Sequence, residues 1–336
     1  MSVYSTTTSD YDTASKSLFD ANADKEMFYF GIIYFILSMF NAPFLLVIIS
    51  TLHLKNCQTP NMTFKMMNIV NFCLLGQGLG HFLTSPAVIF PNLLKTFDTV
   101  VRVSRLFWKP FHLNLQIIGA TMNTLWICDL PVVTLLAVSR ILIFSNMIHS
   151  HKFNGVIKFL LGLVLSWIFI LFLYGIIFRN MEMYPPGWGY DFTVPFSHIF
   201  DTLEICLSFP CLIISFLSYI SIAYLIFMAK NLRSSVQSRK NEIAILFQSA
   251  FTTSYISGMI FVWHPALFTM FTFIDMEDKT NQAILNCVWI IHCYVNPCML
   301  LIFNKSIRGD CFRFLKTRNI DRNPSRTVMM SIVSIN

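Results

Sequence analysis

The sequence predicts an all-α membrane protein, a seven-transmembrane helix bundle with a C-terminal amphipathic surface helix. Composition is the first reason: of 336 residues, 55% are hydrophobic and 12% charged, against about 25% charged in an ordinary soluble domain. The second is segmentation. Seven apolar stretches, near 27–51, 64–90, 113–142, 155–178, 200–229, 243–273 and 282–303, each approach or exceed the roughly 20 residues that a helix needs to cross hydrocarbon. The third is what separates them: polar links such as HLKNCQTPN (53–61) and AKNLRSSVQSRKNE (229–242) are too short for a soluble domain. The chain therefore divides into a tail (1–26), the bundle (27–303), a surface helix (304–316) and a second tail (317–336).

In chain order, residues 1–26 are rich in Ser, Thr and Asp and lack the basic start and apolar core of a cleaved leader, so a disordered tail is expected. Orientation follows from Lys and Arg in short loops, which stay cytoplasmic. With the N-terminus and its tail extracellular, Lys55 and Lys65, then Arg140, Lys152 and Lys158, then Lys230, Arg233, Arg239 and Lys240, and seven basic residues after the last span all lie inside. Lys95, Arg102, Arg105 and Lys109, between the second and third spans, breach that rule locally. The only glycosylation sequons, at Asn61 and Asn304, would face inward, where they would not be used. Of nine cysteines, seven fall in apolar runs and read as small core residues rather than as a disulfide scaffold.

The third span, ending WICDLPVVTLLAVSRILIF (126–144), carries two charges, and a charge at mid-membrane depth costs at least a few kcal/mol. Arg140 lies at the predicted inner boundary, where a guanidinium can snorkel. Asp129 precedes it by eleven residues, so the two share a helix face about 16 Å apart and cannot pair. After the seventh span, NKSIRGDCFRFLK (304–316) alternates Ile307, Cys311, Phe312 and Leu315 with Lys305, Arg308, Arg313 and Lys316. This pattern suits a helix on the inner leaflet. Cys311 on its apolar side is either a palmitoylation site or a packing residue.

The inner end of the seventh span, NPCMLLIFNKSIR (296–308), resembles the NPxxY(x)nF element of rhodopsin-like G-protein-coupled receptors through Asn296, Pro297, Asn304 and Lys305. In the sixth span FVWHPALF resembles their CWxP element, with Trp263 and Pro265 in place. LAVSRILIF (136–144) resembles their LAxDRY element, with Ser139 for the acid and Ile141 for the tyrosine. Trp167 and Asn41 fit single positions of the fourth and first spans. The relaxed motifs, with LLAVSRI and EIAILFQSAF, look most like the nematode serpentine chemoreceptors, classes T and X. This resemblance implies a chemosensory receptor that couples a small extracellular ligand to a heterotrimeric G protein, in the plasma membrane or a sensory cilium.

It also implies roles. Arg140 would face the G-protein crevice; with Ser139 unable to pair it, Glu242 at the start of the sixth span is the expected restraint. Trp263, Pro265, Asn296 and Pro297 would take part in the switch. The second span lacks the acid that usually binds sodium and water. Asp129 therefore either takes that place, facing Asn71 and Asn296 with Asn41 nearby, or is a protonated aspartate bonded to a neighbouring helix. Counting outward from Arg140, Pro210, Trp263 and Asn296 as landmarks brings Met122, Asn123, Trp126, Thr202, Cys206, Trp263, Ala266, Met270 and Asn286 to ligand depth, a lining that suits a small, mostly apolar ligand. Asp201 and Glu204 either favour a cationic group or sit at headgroup level. The Schiff-base position of visual pigments reads Ile290, which argues against retinal. Residues 179–199 contain no cysteine for the family's usual loop disulfide.

No HExxH, GxSxG, P-loop or GxGxxG occurs, so no enzyme, cofactor or nucleic-acid partner is expected. A multi-pass transporter or channel is the rival reading, but such proteins tend to show paired repeats, and none is visible.

Overall fold

A computed structural model of the chain describes residues 20–92, 110–145, 155–178, 180–194, 197–228, 236–264, 275 and 278–321, with the backbone alone at 110–116, 144, 182, 236–242 and 317–321. The described residues contain seven helical spans long and apolar enough to cross a membrane. The first is α1 (Lys25–Met39) continued by α2 (Asn41–Gln58), and the second is α3 (Met62–Ile89). Then come α4 (Pro110–Phe144), α5 (Gly155–Phe178), α6 (Ser197–Met228), α7 (Val236–Trp263) and α8 (Lys279–Phe303). A surface helix, α9 (Lys305–Asp321), follows.

Local chemistry sets the element ends. Asp24 accepts from the Glu26 N–H to cap α1, Asn61 from Thr63 to cap α3, and Asp278 from Asn281 to cap α8. Each satisfies an N–H with no intrahelical acceptor. The break at Phe40 lies three residues before Pro43, which lacks the N–H that would bond the Met39 carbonyl. Asn304 ends α8 and caps α9 by accepting from the Ile307 N–H at 3.1 Å. Arg308 donates to the last carbonyls of α8, Leu301 and Ile302.

The third span, α4, is the axis of the bundle, packing against α3, α5 and α6 and touching α7. Over its most apolar window 67% of residues are buried, against 11% for α5, which lies at the lipid-facing edge. Between α5 and α6 the chain forms an antiparallel hairpin, β1 (Met181–Tyr184) and β2 (Gly187–Tyr190), pairing Met181 with Tyr190 and Tyr184 with Gly187. The hairpin folds inward: Met181 and Trp188 are buried in one cluster with Met122, Met259 and Trp289. Gly119 on α4 makes this close approach feasible, since a Cβ there would collide with the Trp188 ring. Gly119→Ala should cost about 1–3 kcal/mol by overpacking; thermal unfolding of the detergent-solubilised protein reads that loss, and an unchanged midpoint would show the hairpin to be loosely seated.

α9 runs on to Asp321, five residues beyond the expected end. Its Ile307 and Cys311 face the bundle, where the Cys311 thiol donates to Thr51 Oγ1 at 3.4 Å, while Phe312 and Leu315 face outward. Burial pushes that thiol above its usual range. In this arrangement Cys311 serves as a packing residue between α9 and the bundle. All nine cysteines are free.

Candidate functional site

In the outer half, α4 contributes Asn123 and Trp126, α6 Asp201 and Glu204, α7 Met259 and Trp263, α8 Asn286 and Trp289, and the hairpin Tyr190. The spacing explains α6. Asp201, Glu204, Ser208, Cys211 and Ser215 follow one helix face, and all but Asp201 are buried. Glu204, 3% exposed, is held from two sides: Tyr190 donates to Oε2 at 2.6 Å and Trp126 Nε1 donates to Oε1 at 2.7 Å. Asn123 Nδ2 donates in turn to the Tyr190 oxygen at 3.1 Å. Burial and the Glu204 carboxylate push the Tyr190 hydroxyl well above its usual range, so it remains a donor. His264 faces both acids, with Nδ1 3.4 Å from Asp201 and Nε2 3.7 Å from Glu204.

Below the hairpin, Trp289 meets Trp126 and Trp263 edge-on, with ring centroids 6.0 and 5.4 Å away. The crevice among these indoles is nearly filled, with about 10 Å³ free. A vestibule of about 290 Å³ opens above it, lined by Tyr184, Trp188, Asp201, Trp263 and Asn286 among others.

One layer deeper, Asp129 Oδ2 lies 3.0 Å from His292 Nε2, both residues essentially buried. Trp126 and Tyr255 pack around that imidazole. A second chain runs across the inner half: Gln248 donates to Asn296 at 3.3 Å and Asn296 donates to Asn71 at 3.0 Å. Asn41 is fully buried against Gly78, where any side chain would collide with its amide. The Asp129 surroundings do not suit sodium, a hard cation that takes oxygen ligands: the carboxylate's partner is an imidazole, and the Cys73 and Cys128 thiols lie close by. Among the described residues no group of three metal-binding side chains occurs.

At the inner end, Arg140 is 5% exposed. Its Nη1 donates to the Ile245 carbonyl at 3.1 Å and to Ser249 Oγ, both on α7. Ser139 turns its hydroxyl back onto the Leu136 carbonyl at 2.8 Å. The third and sixth spans are thus latched at one end by Arg140 and meet at the other around Trp126 and Trp263.

Seven spans, an inward hairpin, a third-to-sixth latch and a capped surface helix form the setting for one comparison. Residues 89–317 match the model of the serpentine type 7TM GPCR chemoreceptor family Srv. The chain belongs to the Srv serpentine chemoreceptors. The match shows a nematode-type serpentine chemoreceptor, as the motifs implied, and the family it shows is Srv rather than the resembled classes T and X. No match was found among curated proteins. The Srv family is a receptor family, and membership makes this chain a multi-pass chemosensory receptor of the GPCR type; a transporter or channel is not favoured.

Several expected positions of this Srv receptor fall elsewhere. Thr202 and Cys206, one turn apart, occupy the outward face of α6, opposite the inward face of Glu204 and Ser208. Thr202 bonds its own helix at His198, and Cys206 is exposed. Neither lines the pocket. Asp129 was expected to face Asn71 and Asn296; those two bond each other, and the carboxylate bonds His292. Arg140 bonds Ile245 and Ser249 of α7; Glu242, the expected restraint, lies on the same face of α7, three and seven residues earlier, and its side chain is outside the described residues. Pro265, Ala266 and Met270 also lie outside them. Asn123, Trp126, Trp263 and Asn286 line the outer cavities, while Met122 is buried in the cluster beneath the hairpin.

Proposed function

We propose that the receptor detects a small, mostly apolar ligand among Asn123, Trp126, Trp263 and Asn286, and passes the event along α7 to the Arg140 latch. A heterotrimeric G protein would then engage the freed Arg140. One observation supports this above others: a single helix, α7, lines the cavity with Met259 and Trp263 and holds Arg140 through Ile245 and Ser249. Ligand that tilts or rotates the outer part of α7 therefore acts on the latch without any further intermediary. Trp263 contacts Trp289, so both wall helices feel the same occupant.

The excess of basic residues in the links and tail assigned to the inner side supports an extracellular N-terminus. That arrangement places the vestibule outside and α9 on the inner leaflet of the plasma membrane, in keeping with display on a sensory cilium. The test is expression with a G-protein reporter and a panel of volatile and water-soluble odorants. Arg140→Ala should abolish the reporter response while ligand still quenches the pocket tryptophans. A response that survives Arg140→Ala would sink the mechanism.

A further inference from the structure

From the carboxylates and indoles that line the vestibule and the crevice beneath it, we infer that the ligand is a small organic cation, an ammonium group on an apolar body. This deepens the outer-pocket reading above and rests on it. Charge is the first ground. Asp201 lines the vestibule and Glu204 the crevice below it, and the described lining of both contains no Lys or Arg. Among the described residues the basic side chain beside the acids is His264, one imidazole for two carboxyl groups. A buried carboxylate is costly unless compensated. Glu204 receives only two neutral donors, Tyr190 and Trp126, and its nearest imidazole nitrogen stands off at 3.7 Å. A carboxylate has about four acceptor positions, which leaves Glu204 able to take N–H donors from a ligand.

Shape is the second ground. The vestibule is walled by the rings of Trp188 and Trp263 together with Tyr184, Tyr190 and Phe192, while Trp126 and Trp289 close the filled crevice beneath it. Such boxes recognise ammonium groups through the negative faces of the rings, most strongly with tryptophan. Independently, two lining side chains hold polar atoms with no hydrogen-bond partner. Asn286, 5% exposed, has its Oδ1 unbonded, and Trp188, 6% exposed, has its Nε1 unbonded. Asn286 Oδ1 is an acceptor suited to an ammonium N–H, and Trp188 Nε1 is a donor suited to an oxygen elsewhere on the ligand. The vestibule, about 290 Å³, sits just below the roughly 300–1,000 Å³ of drug-sized sites. The cation is therefore small. Asp201, with 30% of its side chain exposed, sits one turn outside Glu204 and meets the ligand first.

The experiment uses the full chain in phosphatidylcholine nanodiscs and reads tryptophan fluorescence during titration with phenethylammonium and its neutral counterpart, phenethyl alcohol. Phenethylammonium should saturate at a concentration at least roughly tenfold lower than the alcohol. Glu204→Gln should bring that ratio close to one and Asp201→Asn should reduce it by a smaller factor, the ratio being insensitive to any loss common to both compounds. Equal or tighter binding of the alcohol to the unmodified receptor overturns the cation while leaving the outer pocket standing. A preference that survives both substitutions overturns the assignment to these carboxylates. No saturable quenching by either compound overturns the outer pocket and the cation together.

Discussion

Replacing His292 with alanine should cost the receptor about 3–5 kcal/mol, the usual loss when one member of a buried pair is removed and the other is left without its partner. Asp129 and His292 are both essentially buried, 3.0 Å apart, and join α4 to α8 one layer below the tryptophans. Whichever of the two holds the shared proton, one hydrogen bond is made; alanine leaves the aspartate with neither a donor nor water. Asp129→Ala should cost a similar amount. Thermal unfolding of solubilised receptor and the fraction reaching the cell surface both read the effect. The double replacement Asp129→Leu with His292→Phe should recover part of the loss, because filling such a site with apolar groups is often neutral. Single variants within about 1 kcal/mol of the parent would show that the pair is not holding the bundle.

Ser249→Ala should raise ligand-free signalling by roughly 3- to 10-fold. A hydrogen bond from a charged donor is worth about 1.5–3 kcal/mol, and only the fraction lost on activation biases the equilibrium. Arg140 keeps its bond to the Ile245 carbonyl, so the latch weakens without disappearing. The side chain deleted is small, and Ser249 packs in no hydrophobic cluster, so expression should be preserved. A G-protein reporter without added ligand gives the number. Basal output at or below the parent's would mean that the Arg140–Ser249 contact does not restrain the off state.

The spans were legible because hydrocarbon imposes one period and one length on every crossing. Their ends were less so: helices run past the apolar stretch wherever a capping side chain such as Asp24 or Asn61 prolongs them. Within the site, α4 was readable from its landmarks, since Asn123 and Trp126 lie at fixed turns from Arg140. On α6 the landmark Pro210 sits in a helix uniform enough in apolarity to leave its rotation undetermined, and the inward face came out as Thr202 and Cys206. The better signal was already present, since Asp201 and Glu204 are the charged residues there and charges in a span turn inward. His292 carried the same signal, a lone imidazole in an apolar run four residues before Asn296. Tyr190 and Trp188 carried none, because a loop has no period, and only tertiary contact brings them over the crevice. The motif that replaced an acid with Ser139 pointed to a latch on α7 at Glu242, whose side chain is outside the described residues; the same face carries the bonds to Ile245 and Ser249.

The hairpin has a temporal consequence. Trp188 is wedged against Gly119, and Tyr190 is tied to Glu204, so a molecule moving from vestibule to crevice must wait for those contacts to part. Entry is then paced by the opening of a protein segment instead of by diffusion. For the pocket proposed above, that would make the rate of hairpin opening the limit on how fast a change of concentration is followed.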